Sequence, residues 1–593
     1  MRSAAWLSLA LAAALTGVQA RDRIDPDVSL LAAAARSGWQ HRSQQVAVHV
    51  VLDGHGADTS ALPPATDALD ADRAAPVVEA GTLPAVDAGV DTGVEDVAAP
   101  PSSSDRIPLR IAVIGAGAAG SHAAYAIAQA LGKDSGRYAP VPRHPQVHVY
   151  EAAAMLGGRA RTALIPGPGG DMDTATTVSL GAAIFLKENP LLYNAVREFG
   201  LPLSTEPHPG DGHEADSDDG RFGIWDGAQW RFRTAETDWQ TNWQFLWRYG
   251  YLPYRRATAL ARAVAAQFTT GVQALLDPAA DDDTSVTTTA AYAERLGLRA
   301  PAQVSGTAFF HAHGVGDPFA SEIVQSLVRV NYCQNLDAAN ALGGLVSLAA
   351  MTGEATSVVG GNERIFDAWI RASHASLRLN TTVHAIDRVP AEGPTLRPQY
   401  RLTTSEPTGA TWSGVYDAVI VATPFWSSGL RLDPAIVPDA AATIPNTPYQ
   451  PVEATFVVGV LNHTFFGFAS TDEVPTTILT VPREDGGPSA FHSLSVLRRY
   501  PDDVVLAKVF SVAPLDVAAL FVTTSVVYVK SWHAYPQLRP DQPLAPFELA
   551  PGLYYASAAE PLFSTMESQA AAGGFAAKLA LQHLQRTMSQ SSV

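Results

Sequence analysis

Gly115, Gly117 and Gly120 follow the apolar run 109–114 in the spacing G-x-G-x-x-G, and the stretch beyond them is rich in alanine. A turn of this kind binds the pyrophosphate of a dinucleotide. The first glycine allows the tight bend and the second lets the phosphates approach the backbone. The third brings the following helix against the strand, so that its free N-terminal amides face the negative charge. Glycine-rich turns are common, so the spacing is weak by itself. Glu151, which closes the next apolar run, strengthens it: a carboxylate there accepts hydrogen bonds from adenosine ribose hydroxyls and repels a 2′-phosphate.

These residues need a strand, a glycine turn, a helix and a second strand to position them. The runs 109–114, 123–131 and 147–150 read as that βαβ unit. Glu151 lies further from the glycines than the roughly 20 residues of a compact unit, and the polar, proline-containing run 133–145 reads as a loop inserted between helix and strand. Further strands are expected over 416–422 and 553–556, and a helix around 236–249.

Gly157-Gly158-Arg159-Ala160-Arg161-Thr162 comes shortly after Glu151. The three features together resemble the glutathione-reductase-type FAD fold, in its amine-oxidase-like branch. That resemblance implies FAD as cofactor. It places Ala118 and Ala119 with the glycine turn, Gly158 beside the diphosphate and Arg159 as its neutralising charge. Asn380-Thr381-Thr382-Val383 resembles the strand whose backbone, at Val383, meets adenine. The run 417–424 resembles the strand that re-enters the FAD domain, and 552–555 the last flavin strand. Thr565 and Met566 then open a helix whose N-terminus is expected at the flavin pyrimidine edge, where it stabilises negative charge.

Strings in the middle of the chain narrow this further. Those at 180–185, 222–227, 246–250, 329–335, 360–366 and 532–536 are similar, in order and spacing, to the prenylcysteine oxidase (prenylcysteine lyase) family. Membership implies an FAD-dependent thioether oxidase acting on farnesyl- or geranylgeranyl-cysteine with O₂ and water. Its products are cysteine, the isoprenoid aldehyde and hydrogen peroxide. Hydride leaves the allylic carbon beside sulfur, and the resulting hemithioacetal collapses to aldehyde and thiol. Such chemistry needs positioning and a dry apolar slot more than a strong acid, and no catalytic residue is assigned. The chain departs from the family pattern at Ser179, where an acid is expected, at Cys333 and at Glu363.

Trp239, Trp243 and Trp247 recur every four residues and fall on one helix face. Trp243 and Trp247, with Tyr332, His533 and Tyr535, are the expected walls of the prenyl pocket, against the alternative of an ordinary helix–sheet core. His311 and His313 lack acidic or cysteine neighbours in sequence, so no metal site is expected. Cys333, the single cysteine, excludes an internal disulfide and reads as a small buried residue.

Composition bounds the remainder. The chain has 593 residues, 47% of them apolar, and a formal charge of −18, which excludes a fibrous or wholly disordered class and disfavours nucleic acid as a partner. The apolar run 4–15 after Arg2, with a small-residue site at 18–20, reads as a signal peptide, too short to span a bilayer. No transmembrane segment is expected. Sequons at Asn380 and Asn462 suit a secretory route to a vacuole, a lysosome-like compartment or the exterior. The stretch 52–105 holds eleven acidic residues and one basic residue, Arg73, and reads as disordered.

The expected organisation is a signal peptide over 1–20, an acidic low-complexity segment over 21–106, and a discontinuous Rossmann-type α/β FAD domain over 107–190, 356–425 and 541–588. An α+β substrate domain occupies 191–355 and 426–540. The competing readings are a flavin amine or polyamine oxidase, and a secreted FAD-containing protein without turnover.

Overall fold

The structure, a computed structural model, describes residues 109–132, 137–204, 221–277, 286, 288–390 and 398–590. The expected signal peptide and acidic segment lie outside the described residues.

Strand Arg110–Ile114 is apolar on both faces, which suits a strand covered on both sides. It forms the centre of a six-stranded sheet in the order 548–550, 553–555, 418–421, 110–114, 146–150, 376–378. All neighbours are parallel except the outermost pair, 548–550 with 553–555. Ile111 and Val113 pack under helices Ala118–Gly132 and Met566–Gln590. Ala112 and Ile114 face the opposite layer, with Val419, Val421 and Tyr416. The chain leaves strand 110–114 for 146–150 on one side and returns to its other side only at 418–421, so the crevice at its carboxyl end, where Gly115 stands, is a topological switch point.

A second sheet of seven strands runs in the order 521–536, 449–461, 504–511, 493–499, 477–480, 222–225, 230–233. One face carries a core with Phe456, Leu506 and Trp532 against the helical layer of Phe245, Phe319 and Leu345. The other buries Trp225, Phe466 and Phe491. This is the expected class, a Rossmann-type α/β unit joined to an α+β unit. The six-stranded sheet draws its strands from 107–190, 356–425 and 541–588, and the seven-stranded sheet from the intervening chain.

Candidate active site

The three glycines do different work. Gly115 has φ +105°, and a Cβ there would stand 2.7 Å from the Ala422 carbonyl oxygen. A Cβ on Gly120 would stand 1.8 Å from the Gly115 carbonyl oxygen, so helix 118–132 sits on the turn only because that side chain is absent. Gly117 has room: its nearest neighbour is the Gly158 Cα at 3.8 Å. The second glycine loop thus crosses directly beside the first, tied by a hydrogen bond from Gly157 N–H to the Ala116 carbonyl at 3.0 Å.

The Glu151 carboxylate accepts from Ala116 N–H at 2.9 Å and from Ala153 N–H at 3.0 Å. These bonds hold the turn in shape and fix the carboxylate, an acceptor-only group, at the strand end. Together these loops border a cavity of about 530 Å³, within the roughly 300–1,000 Å³ usual for cofactor sites. Gly115, Gly117, Ala118, Ala119, Glu151, Gly158, Arg159, Val383, Thr565 and Met566 all border it, as does His533. Gly120 does not; it serves helix packing.

Arg159 borders this cavity and is also paired within the protein. Its guanidinium forms an ion pair with Glu560, which is fully buried, and donates to the Ala534 carbonyl at 3.3 Å. Glu560 also accepts from Tyr449 Oη and Ser564 Oγ, each at 2.9 Å. A buried carboxylate left unpaired is costly, so Arg159 balances Glu560 where it stands beside the glycine loops. The amides of the two glycine loops and the N-terminus of helix 118–132 add further groups suited to a diphosphate.

A second cavity lies against the first, the two sharing Ala182, Thr565 and Met566 as walls. Its walls are apolar: Ala261, Val264, Ala265 and Phe268 from helix Tyr251–Leu276, Leu345, Val346 and Ala349 from helix Ala341–Thr352, and Phe185 and Phe563. Polar side chains interrupt it, Tyr332, Asn331 and Glu567 among them. Tyr332 is buried and packs edge-on against Tyr535 at 5.2 Å. Asn331 donates from Nδ2 to the Leu327 carbonyl, while its Oδ1 is buried without a partner. Glu567 accepts from Leu191 and Leu192 N–H at 2.8 and 3.0 Å, and burial pushes its carboxyl up to about 7. Asn331 and Glu567 were missed by sequence reasoning. Asn331 stood in a recognised string with no role, and nothing local marks either residue as facing a slot.

Trp243 and Trp247 do not line the slot. They are 61% and 83% exposed, and Trp239 is 69% exposed. Helix Asp238–Tyr249 turns Asn242, Phe245 and Tyr249 inward instead, because Phe245 and Tyr249 fill the core around Phe319. Tyr535 borders neither cavity; its hydroxyl meets the Cys333 thiol. Burial pushes that thiol up to about 11, so thiolate is scarce at neutral pH. We expect Cys333 to resist alkylation near neutral pH in the folded protein and to react once denatured, as read by mass spectrometry. Fast labelling of folded protein would place a reactive thiolate there.

The other departures also have surroundings. Lys508, buried, donates to the Ser179 carbonyl at 2.7 Å and lies against the Phe510 ring, and burial pulls its ammonium down to about 7. Glu363 Oε1 accepts from Thr162 N–H and Oγ, anchoring the strand that follows the second glycine loop; burial pushes its carboxyl upward.

The first cavity fits FAD. Beside Gly117 there is space a side chain would fill, the Glu151 carboxylate stands on the wall, and Gln569 Oε1 is buried there without a partner. A model of NAD(P)-binding Rossmann-like domains matches residues 113–199, and the prenylcysteine lyase model matches residues 232–592. The chain belongs to the prenylcysteine lyase family.

Relatives in the prenylcysteine lyase family match along most of the chain. Farnesylcysteine lyase of Arabidopsis thaliana is 25% identical over 508 residues, covering 82% of this chain and 91% of the relative. Prenylcysteine oxidase 1-like of Bos taurus is 27% identical over 510 residues, covering 81% and 92%. Among solved structures, cyclohexylamine oxidase from Brevibacterium oxydans aligns with a TM-score of 0.48 at 15% identity, covering 81% of this chain and 100% of that one. FAD is the cofactor of this member of the prenylcysteine lyase family.

Proposed function

We propose that this chain is an FAD-dependent oxidase that cleaves prenylcysteine thioethers. Prenylcysteine, O₂ and water give cysteine, the isoprenoid aldehyde and hydrogen peroxide. The observation that carries the reading is the meeting of an apolar slot with the dinucleotide cavity at Ala182, Thr565 and Met566. FAD, when bound, supplies the two-electron acceptor that O₂ then reoxidises.

The protein's own residues hold, orient and exclude. Phe268, Leu345 and Phe563 present apolar surface to an isoprenoid chain, each buried methylene contributing about 0.8 kcal/mol. Asn331 Oδ1, unpartnered in the slot, is the acceptor for the polar end of the substrate. Thr565 Oγ accepts from Ser568 N–H at 3.1 Å and caps helix Met566–Gln590, fixing its first turn at the junction of the two cavities. Water is kept from the allylic carbon until oxidation has occurred.

No helix among the described residues is long and apolar enough to cross a membrane. The N-terminal sequence supports a lumenal setting in the secretory pathway, in a vacuole, a lysosome-like compartment or outside the cell.

Anaerobic mixing of the flavin-loaded protein with farnesylcysteine is expected to bleach the yellow chromophore, with peroxide released once air is admitted. Persistent colour with farnesylcysteine together with bleaching by a polyamine would assign amine oxidation instead. No bleaching by either would mark a protein without turnover.

A further inference from the structure

We propose that helices Asp238–Tyr249 and Tyr251–Leu276 form a surface that docks on anionic lipid bilayers, beside the apolar slot. Tryptophan is rarely left in water, yet Trp239, Trp243 and Trp247 lie on the outer face of the first helix, 69%, 61% and 83% exposed. The rings of Trp243 and Trp247 stand 6.5 Å apart in a stack. Leu252, 56% exposed, extends the stripe past the glycine that joins the two helices.

Charge selects the occupant. The chain as a whole is strongly acidic, but from Trp239 to Leu276 it carries Arg248, Arg255, Arg256 and Arg262 and no Asp or Glu. Arg248 is held by Glu322, donating from Nε at 2.7 Å, and Arg256 donates to the Gly314 carbonyl. Arg255, Arg256 and Arg262 are exposed on the second helix. Glu236 and Asp238 precede the stripe and do not interrupt it. Exposed tryptophan on one helix followed by exposed arginine on the next is the composition of an interfacial anchor: indoles settle at headgroup depth while guanidiniums meet lipid phosphate and serine carboxylate.

The second helix connects this face to the slot. Arg255, Arg256 and Arg262 point outward, while Ala261, Val264, Ala265 and Phe268 line the slot from within. An amphiphile leaving the bilayer here crosses one helix width to reach the slot. That delivery role rests on the prenylcysteine reading; the docking surface rests on the exposed side chains alone.

The test is sedimentation of the flavin-loaded full chain with vesicles of phosphatidylcholine, with and without phosphatidylserine, in the absence of substrate. Wild type is expected to pellet with the anionic vesicles, less so at high salt, with tryptophan emission shifting to the blue. Trp239→Ser/Trp243→Ser/Trp247→Ser and, separately, Arg255→Glu/Arg262→Glu are each expected to lose roughly tenfold or more of that binding. Both should keep their flavin spectrum and their rate on dissolved farnesylcysteine. Wild type left in the supernatant, or variants that bind as wild type does, would overturn the proposal. So would a concentration-dependent dimer that the tryptophan variant dissolves, since the stripe would then belong to a second copy. A protein that binds vesicles yet leaves farnesylcysteine untouched would uphold docking and refute the substrate reading.

Discussion

Gly117→Val is expected to give folded, colourless protein. The added Cβ would find the Gly158 Cα at 3.8 Å as its nearest neighbour, ordinary van der Waals contact, so the backbone of the turn need not move to take it. What it fills is the space beside the two glycine loops, where a diphosphate must approach the backbone. A loss on the order of 100-fold in FAD affinity, roughly 2.7 kcal/mol, follows from excluding that approach. The ratio of visible flavin absorbance to protein, with gel filtration for the fold, reads the result. Gly120→Val is the contrasting control. Its Cβ falls 1.8 Å from the Gly115 carbonyl oxygen, so it should fail to fold rather than fold empty. A yellow Gly117→Val protein would remove the glycine turn from the cofactor site.

The second large effect belongs to the slot. Ala349→Phe places a ring among Leu345, Val346 and Phe268, where the structure has open apolar space. Displacing about four methylenes of the isoprenoid, at about 0.8 kcal/mol each, lowers kcat/KM for farnesylcysteine by on the order of 100-fold. Flavin content is expected to stay at the wild-type level, because Ala349 does not border the dinucleotide cavity. Dimethylallyl-cysteine, with its short chain, should lose far less. Steady-state kinetics across chain lengths decides the matter. An equal loss for every chain length would show that the slot does not hold the isoprenoid.

The pocket tryptophans show where sequence reading stops. Four-residue spacing puts Trp239, Trp243 and Trp247 on one face, and the helix bears this out. Spacing does not say which face turns inward when both are aromatic. Phe245 and Tyr249 win the core because they fit against Phe319 of the helical layer and Phe232 of the seven-stranded sheet. The arginine of the second glycine loop shows the same limit. Arg159 was legible as a charge beside the glycine loops, but its buried partner Glu560, far along the chain, was not.

By itself the sequence determined the strand–glycine–helix–strand unit, the placement of Glu151 at the end of its second strand, and the family strings with their order. These depend on backbone conformation and short-range spacing, which neighbouring residues specify. Only the tertiary structure decided that Asn331 and Glu567 share one slot, that Trp243 and Trp247 face outward, and that Arg159 is paired. Each of those outcomes rests on which distant surfaces meet, and burial of a charge or a ring is settled by that meeting rather than by anything along the local chain.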